Sequence, residues 1–265
     1  MLSPKIYIKK FFALFGVAII NIKTLELLME TKRNVSDIKI IKALPESHTS
    51  RILKILDDSK SQLRQDIFVL SHLEFKRNGY FVEFGGSDGI TYSNTYILEK
   101  HFGWTGIIAE PAHVWHKSIR SNRNVDIETM AVWSESGSNI TFRETSIAEL
   151  STIKDFADCD SHQNHRLNYK DYQVKTISLV DLLEKYDAPS TIDYMSIDTE
   201  GSEFEILSKF DFTKYTFRVI SCEHNFNDDA RENIYKLLKN NGYKRVHQDL
   251  SLFDDWYIKD YANPL

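Results

Sequence analysis

Short hydrophobic runs alternate with amphipathic segments from residue 80 onward, and this pattern predicts strands alternating with helices. The predicted strands are residues 80–84, 105–110, 125–132, 191–197 and 217–222. The predicted helices are residues 93–101, 112–121 and 229–240, and residues 243–247 and 255–258 predict a closing antiparallel hairpin. Such alternation predicts an α/β fold with a doubly wound, mostly parallel sheet covered by helices on both faces.

The pattern is different before residue 80. Residues 50–77 carry apolar side chains at helical spacing with a break near 57–61, and the polar residues 30–49 predict a connection. Residues 11–20 are apolar and follow three lysines, but the run is too short to span a bilayer. It predicts a helix that packs on the domain or on a partner chain, with peripheral membrane contact as the alternative. We therefore expect an N-terminal helical extension over 1–60 and an α/β domain over 61–265.

Composition narrows the class of protein. A hydrophobic share of 42% predicts a folded core, and a net charge of −5 without a basic patch argues against a nucleic-acid partner. Two cysteines far apart in sequence cannot form a disulfide framework or a zinc knuckle. We expect a cytoplasmic protein, with membrane association as the alternative, and the sequence predicts nothing about its oligomeric state.

A glycine-rich turn follows the first predicted strand. The strand carries Glu83 near its end, and Gly85, Gly86, Ser87 and Gly89 come directly after it. Glycines let the backbone turn tightly and approach a ligand, and the N-terminus of the next helix attracts a carboxylate. Glu83 would accept from an ammonium group. The motif therefore predicts a site for an amino-acid-like ligand, although an ordinary strand-to-helix turn has the same spacing.

The second predicted strand ends in an acid, Glu110, which follows Gly89 by 21 residues. An acid at this distance from the glycine turn is placed to accept from both ribose hydroxyls of a nucleoside. A dinucleotide fingerprint needs its first two glycines two residues apart, but Ser87 and Asp88 stand at those positions. An NAD(P)-dependent oxidoreductase is therefore the weaker alternative.

Carboxylates also follow two later strands. Asp198 and Glu200 come after the strand over 191–197, and Glu223 and His224 end the strand over 217–222. The carboxyl ends of neighbouring parallel strands meet at one edge of a sheet, so these side chains are expected to converge. The alternative is that they only cap a helix start and the sheet edge.

These motifs, taken in order, resemble the FkbM family of methyltransferases. The segments that carry the resemblance are FVEFGGSDGITYSNTYILEK, GWTGIIAEP, IDYMSIDTEGSEFEIL and ISCEHN, within about residues 62–258. The resemblance implies a class I, Rossmann-like methyltransferase fold and the cofactor S-adenosylmethionine. It implies cofactor contacts at Glu83, Gly85, Gly89 and Glu110, with Asn94 near the cofactor. It also implies O-methylation of a small-molecule or glycan acceptor.

A hydroxyl acceptor has a pKa near about 15.7, so its proton needs a base or its oxygen needs a metal ion. In the first hypothesis Asp198 or His224 is the general base, with Glu200 as a further catalytic candidate. In the second, Asp198 and Glu223 hold Mg²⁺, which prefers oxygen ligands. A protein that binds the cofactor without turnover, as a scaffold, is the remaining alternative.

Overall fold

A computed structural model describes residues 21–158 and 163–261. Within these residues seven strands form one sheet: β1 (Tyr80–Phe84), β2 (Thr105–Ala109), β3 (Asp126–Glu128), β8 (Thr191–Ile197), β9 (Thr216–Glu223), β10 (Tyr243–Val246) and β11 (Asp254–Lys259). Their order across the sheet is β10-β11-β9-β8-β1-β2-β3. The central strands pair in parallel, and β10 and β11 form the predicted antiparallel hairpin against β9.

The helices cover both faces of this sheet because its buried strands are apolar on both sides. Successive residues of β1 point to opposite faces, so Phe81 packs into one hydrophobic cluster and Val82 into the other. The described helices are α1 (Ile22–Ala43), α2 (Thr49–Leu53), α3 (Gln65–His72), α4 (Tyr96–Phe102), α5 (His116–Asn122), α6 (Leu179–Lys185), α7 (Glu203–Ser208) and α8 (Asp228–Asn240). Single 3₁₀ turns occupy Glu46–His48, Leu56–Asp58, His113–Trp115, Ala148–Leu150, Lys154–Phe156 and Gln163–Arg166.

A second sheet follows β3, in a region where the sequence predicted only one strand, over 125–132. Its order is β4-β7-β5-β6, with β4 (Ala131–Trp133), β5 (Asn139–Thr145), β6 (Thr152–Ile153) and β7 (Tyr169–Ser178). The prediction of one strand over 125–132 is wrong. The Glu128 carboxylate accepts from the backbone N–H groups of Thr129 and Met130, and this turn sends β3 and β4 into different sheets.

Two predicted helix starts are also wrong. The helix predicted from residue 93 begins at Tyr96, because the Ser93 hydroxyl donates to Glu83 and does not cap the helix. The helix predicted from residue 112 begins at His116, after a 3₁₀ turn.

The N-terminal part contains more helix than the sequence predicted. Residues 30–49 were expected to be a connection, but α1 continues to Ala43 from an N-cap at Asn21. Ile40 and Leu44 are buried in the core of the domain and hold the end of this helix. The predicted break near 57–61 is confirmed, because α2 ends at Leu53 and α3 begins at Gln65. The predicted helix over 11–20 lies outside the described residues, and none of the described helices is long and apolar enough to cross a bilayer.

Candidate active site

A cavity of about 570 Å³ opens at the carboxyl ends of β1, β2, β8 and β9. This is the edge of a parallel α/β sheet at which ligands are expected, and the volume suits a small-molecule ligand. Most of the predicted site residues line it: Glu83, Gly85, Ser87, Asn94, Glu110, Asp198, Glu200 and Glu223. All four predicted strand ends therefore bring their acids to this cavity, together with the glycine turn.

The glycine turn is packed too tightly for side chains. A Cβ atom on Gly85 would lie 2.1 Å from the carbonyl oxygen of Asp198, and Gly85 has a φ of +79°. A Cβ atom on Gly86 would lie 2.2 Å from Cγ2 of Ile108. Gly86 and Gly89 are not part of the cavity wall, so they shape the turn from behind. The turn thus lets β1 end directly against the first residue after β8.

Glu83 is buried and organises the loop after the turn. Its carboxylate accepts from the backbone N–H of Asn94 (2.6 Å) and the hydroxyls of Ser93 (3.0 Å) and Thr95 (2.6 Å). These donors belong to the chain itself, so the structure shows Glu83 holding the loop that forms one cavity wall. Its contact with a ligand ammonium stays a prediction.

Arg123 supports the same loop, and sequence reasoning missed it. Its buried guanidinium donates to the carbonyl of Gly89 (3.1 Å), to the hydroxyls of Ser93 (2.9 Å) and Thr95 (2.8 Å), and to Glu99 (2.5 Å). No motif marks this arginine, which follows the helix after the second strand.

Asn94 carries a buried acceptor that its neighbours do not use. Its amide nitrogen donates to the Ser196 hydroxyl (2.9 Å), whereas Oδ1 has no hydrogen-bond partner among the described residues. Buried polar atoms are rarely left in this state unless water or a ligand completes them. Since Asn94 lines the cavity, Oδ1 is a second candidate acceptor for a ligand ammonium.

Glu110 stands where an acid for ribose hydroxyls was predicted. Its carboxylate accepts from the backbone N–H groups of Ser87 and Ala112, both at 2.8 Å. Burial nevertheless raises the pKa of Glu110 to about 7, because it disfavours the charged form more than the two donors stabilise it. The protonation state of this group therefore changes near neutral pH.

Three carboxylates meet on the opposite wall of the cavity. One oxygen from each of Asp198, Glu200 and Glu223 lies within 4.8 Å of the other two. Asn225 donates from Nδ2 to both Glu200 (3.0 Å) and Glu223 (2.8 Å). Burial, reinforced by the charges of Asp198 and Glu200, raises the pKa of Glu223 well above its ordinary value. The pair Asp198–Glu223 can therefore hold a proton between two carboxyl groups.

A segment of the second sheet closes the cavity above these acids. Arg166 is buried and donates to the carbonyls of Leu150 (2.8 Å) and Ala157 (3.0 Å) and to Oε2 of Glu200 (2.8 Å). One arginine thus shapes the segment after β5 and fastens it to the acid cluster. The polar stretch over residues 145–171 is long for a loop, and such length is typical of a lid over an acceptor. Its residues 147–151 and 153 line the cavity, and we call residues 146–158 the lid.

His224 does not join the acid cluster, and its contacts do not favour the predicted role as a base. Its Nε2 bonds to the carbonyl of Asp254 (3.2 Å), and its Nδ1 accepts from the backbone N–H of Phe226 (3.1 Å). Both ring nitrogens are therefore used by the turn after β9. His224 is buried and forms no part of the cavity wall, because the neighbouring β11 carbonyl fixes its ring.

The mouth of the cavity is apolar in part. Tyr92, Ile147 and Phe226 line it and are 54%, 43% and 66% exposed, and Phe142 and Phe253 lie deeper. Sequence reasoning missed these side chains. The alternation of polar and apolar residues in β5 and β7 was the available signal for the strands that supply Phe142.

Comparison with solved structures finds methyltransferases. The precorrin-6y C5,15-methyltransferase of Geobacter metallireducens matches with 12% identity and a TM-score of 0.40, over 73% of this chain and 87% of that one. A SAM-dependent methyltransferase of Aquifex aeolicus matches with 10% identity and a TM-score of 0.38, over 79% of this chain and 96% of that one. Among curated proteins, none matches the sequence significantly.

The family model of the methyltransferase FkbM domain matches the sequence over residues 83–245, from Glu83 of β1 to β10. The strand order and the antiparallel hairpin agree with the predicted class I methyltransferase fold, which is confirmed. The described residues also fit S-adenosylmethionine, the cofactor of this family, because the glycine turn, the unpartnered Asn94 acceptor and Glu110 share one cavity. This match covers more than half of the length of the chain, and the chain therefore belongs to the FkbM methyltransferase family.

Proposed function

We propose that this protein transfers the methyl group of S-adenosylmethionine to a hydroxyl oxygen of a sugar, glycan or related natural product, with Asp198 as the general base. The observation that carries the proposal is the meeting of Asp198 and Glu223 in the cavity that also holds the glycine turn and Glu110. Cofactor and base candidates thus face the same space.

The cofactor supplies a methyl group that is already activated, so alignment of the acceptor provides much of the catalysis. The protein must still remove the proton of an alcohol. Asp198 is half-buried at the end of β8 and interacts with Glu223, whose pKa is raised by burial and by the charge of Asp198. A carboxylate pair in which both groups are ionised takes up one proton more readily than an isolated carboxylate in water, because each negative charge raises the proton affinity of the other.

The acceptor side of the cavity suits a sugar. The exposed rings of Tyr92 and Phe226 offer flat apolar surfaces for the C–H faces of a pyranose. Gln62 and Asn225 line the same space and offer amide groups for hydroxyls. A mainly apolar pocket with a few fixed polar groups is the usual design of a small-molecule site.

The Mg²⁺ hypothesis is the second candidate, and the distance between the carboxylate oxygens is what favours it. In this form Asp198 and Glu223 would hold the ion, with Glu200 near them. However, Arg166 already pairs with Glu200, and Asn225 bridges Glu200 and Glu223. We therefore propose the metal-free mechanism, and an activity that is unchanged by EDTA is the expected result.

Substitution of the base tests the proposal. We expect Asp198→Asn to lower the rate of methyl transfer to a sugar acceptor by about 10²–10⁴-fold, because positioned proton transfer contributes that much. Calorimetry should show that the variant still binds S-adenosylmethionine. Asp229→Asn, an exposed change on α8, is the matched control and should keep full activity.

A pH profile separates the pair from a lone base. Glu223→Gln removes the charge that raises the proton affinity of the pair, so the acid limb of kcat/KM should move to lower pH. Full activity of Asp198→Asn, or an acid limb that stays in place in Glu223→Gln, would contradict the proposed base.

A further inference from the structure

We propose that the acceptor side of this cavity selects by charge, and that it takes neutral or amino sugars and rejects phosphorylated, sulfated and uronic acid acceptors. The inference rests on the proposed transfer to a sugar and names the class of sugar. It also assigns Glu149, a lid residue outside the base and cofactor positions, as a determinant of that specificity.

The ionisable groups of the described cavity wall are acids and a phenol, and those among them that are ionised at neutral pH carry negative charge. This wall contains six carboxylate side chains, and no lysine, arginine or histidine is among the described lining residues. The six are Glu83, Glu110, Glu149, Asp198, Glu200 and Glu223. Walls with charges of one sign concentrate ligands of the opposite sign and oppose ligands of the same sign.

Two buried arginines pair with lining acids, Arg123 with Glu83 and Arg166 with Glu200, but neither arginine lines the cavity. Arg166 reaches Glu200, but its side chain is only 1% exposed and it also donates to the carbonyls of Leu150 and Ala157. Its guanidinium therefore serves the lid and Glu200 and is not presented to the cavity as a phosphate or carboxylate clamp.

A neutral acceptor atom in the same wall points the same way. Asn94 is 7% exposed, and its Oδ1 has no partner among the described residues. An acceptor of this kind is completed by a hydroxyl or an ammonium group, both of which carry hydrogens. A phosphate or carboxylate group presents only lone pairs to it when ionised. The ammonium group of the cofactor can satisfy the same atom, so Asn94 shows that the wall as a whole favours hydrogen-bond donors, and Glu149 is the residue assigned to the acceptor side.

Glu149 allows the charge of the acceptor side to be changed by itself. It lies on the 3₁₀ turn Ala148–Leu150 of the lid, is exposed, and lines the cavity. It belongs neither to the acid cluster at the ends of β8 and β9 nor to the glycine turn. A lysine at this position would place a positive charge at the acceptor side while Asp198 and Glu110 stay in place.

The experiment offers an equimolar pool of alkyl glycosides with tritiated S-adenosylmethionine. The pool contains hexoses, 6-deoxyhexoses, aminohexoses, hexuronic acids and hexose 6-phosphates, and ion exchange separates the labelled products by charge. We expect the wild-type protein to label the neutral and amino fractions. In Glu149→Lys the ratio of anionic to neutral product should rise by about tenfold or more, because like-charge repulsion is replaced by attraction.

Glu232→Lys is the matched control, since it makes the same change of charge on the surface of α8, where Glu232 pairs with Lys236. It should leave the product ratio unchanged, and Glu149→Gln should move the ratio in the same direction as Glu149→Lys by a smaller factor. Anionic products equal to or above neutral ones in the wild-type protein would overturn charge selection and leave methyl transfer to sugars intact. No labelled sugar, with S-adenosylmethionine binding intact by calorimetry, would reject the sugar acceptor itself.

Discussion

Two opposing effects determine the ionisation of Glu110. Two backbone N–H groups at 2.8 Å favour its carboxylate, and complete burial favours its neutral acid. Burial is the larger effect, so the pKa is raised from 4.5 to about 7. The group that is predicted to accept from ribose hydroxyls is therefore only partly ionised at neutral pH.

This balance predicts a pH-dependent affinity for S-adenosylmethionine. Below pH 7 Glu110 is mainly protonated and is a poor acceptor for ribose hydroxyls, and above pH 7 it is mainly ionised. We expect affinity measured by calorimetry to rise by about tenfold from pH 6 to pH 8, the range over which a group with this pKa ionises. Glu110→Gln should bind more weakly at pH 8 and show a flat profile, and an equal slope in both proteins would contradict the assignment.

At the scale of elements, the lid is held to the main sheet by a few buried contacts, of which Arg166 makes the largest share. Among its described residues, the segment after β5 contains only short 3₁₀ turns and the two-residue strand β6, which pairs with β5, and Thr152 donates to the carbonyl of Glu200 (3.0 Å). Arg166 adds bonds to two of its carbonyls and to Glu200. The position of the lid over the cavity therefore depends on this side chain.

Arg166→Gln should loosen the lid without unfolding the main sheet. Removing one partner leaves Glu200 buried beside Asp198 and Glu223 without this guanidinium, which is costly for buried pairs. We expect hydrogen exchange at residues 148–157 to accelerate by about tenfold or more, while amides of β1 and β2 keep their protection. Arg143→Gln, which removes the more exposed pair between β5 and β7, should change exchange in the lid much less. Equal exchange in the two variants would contradict the role of Arg166.

At the scale of the whole molecule, adjacent acids on β11 affect stability with opposite signs. Asp254 is buried behind the acid cluster with a pKa raised to about 8 by burial and by Asp198, and it accepts from Gln65. Asp255 is held by Arg231 and Arg245, which lower its pKa. As pH rises, the folded state therefore keeps the proton of Asp254 to a higher pH than the unfolded chain does. It loses the proton of Asp255 at a lower pH than the unfolded chain does.

Linkage turns this contrast into a prediction. A raised pKa stabilises the fold below the unfolded value of 3.8, and this stabilisation is lost as pH rises toward 8. Urea unfolding should therefore show that the free energy of unfolding of Asp254→Asn, relative to that of the wild type, increases by about 1–3 kcal/mol as pH rises from 5 to 8. Asp255→Asn should be destabilising at neutral pH, and its cost should shrink as pH falls toward the lowered pKa. Parallel pH curves for the two variants would contradict the assigned environments.

The sequence by itself determined the parts of this protein that short windows encode. The period of apolar residues predicted the strands of the main sheet and its closing hairpin, because a strand buried on both faces must be apolar wherever it occurs in the fold. The strand-end position of Glu110, Asp198 and Glu223 placed them at one edge of that sheet, and the ordered motifs predicted the methyltransferase family. The second sheet was not predicted, because β4 and β6 are short and because β5 and β7 are largely polar and only partly buried.

Only the tertiary structure decided which of these side chains act together. Arg123 and Arg166 reach the site from segments with no motif, and Phe253 comes from the far end of the chain. His224 shares a strand end with Glu223, yet a backbone carbonyl of β11 fixes its ring outside the cavity. Contacts between residues distant in sequence, and the burial that moves the pKa values of Glu110 and Glu223, arise only when the chain is folded, so no local pattern carries them.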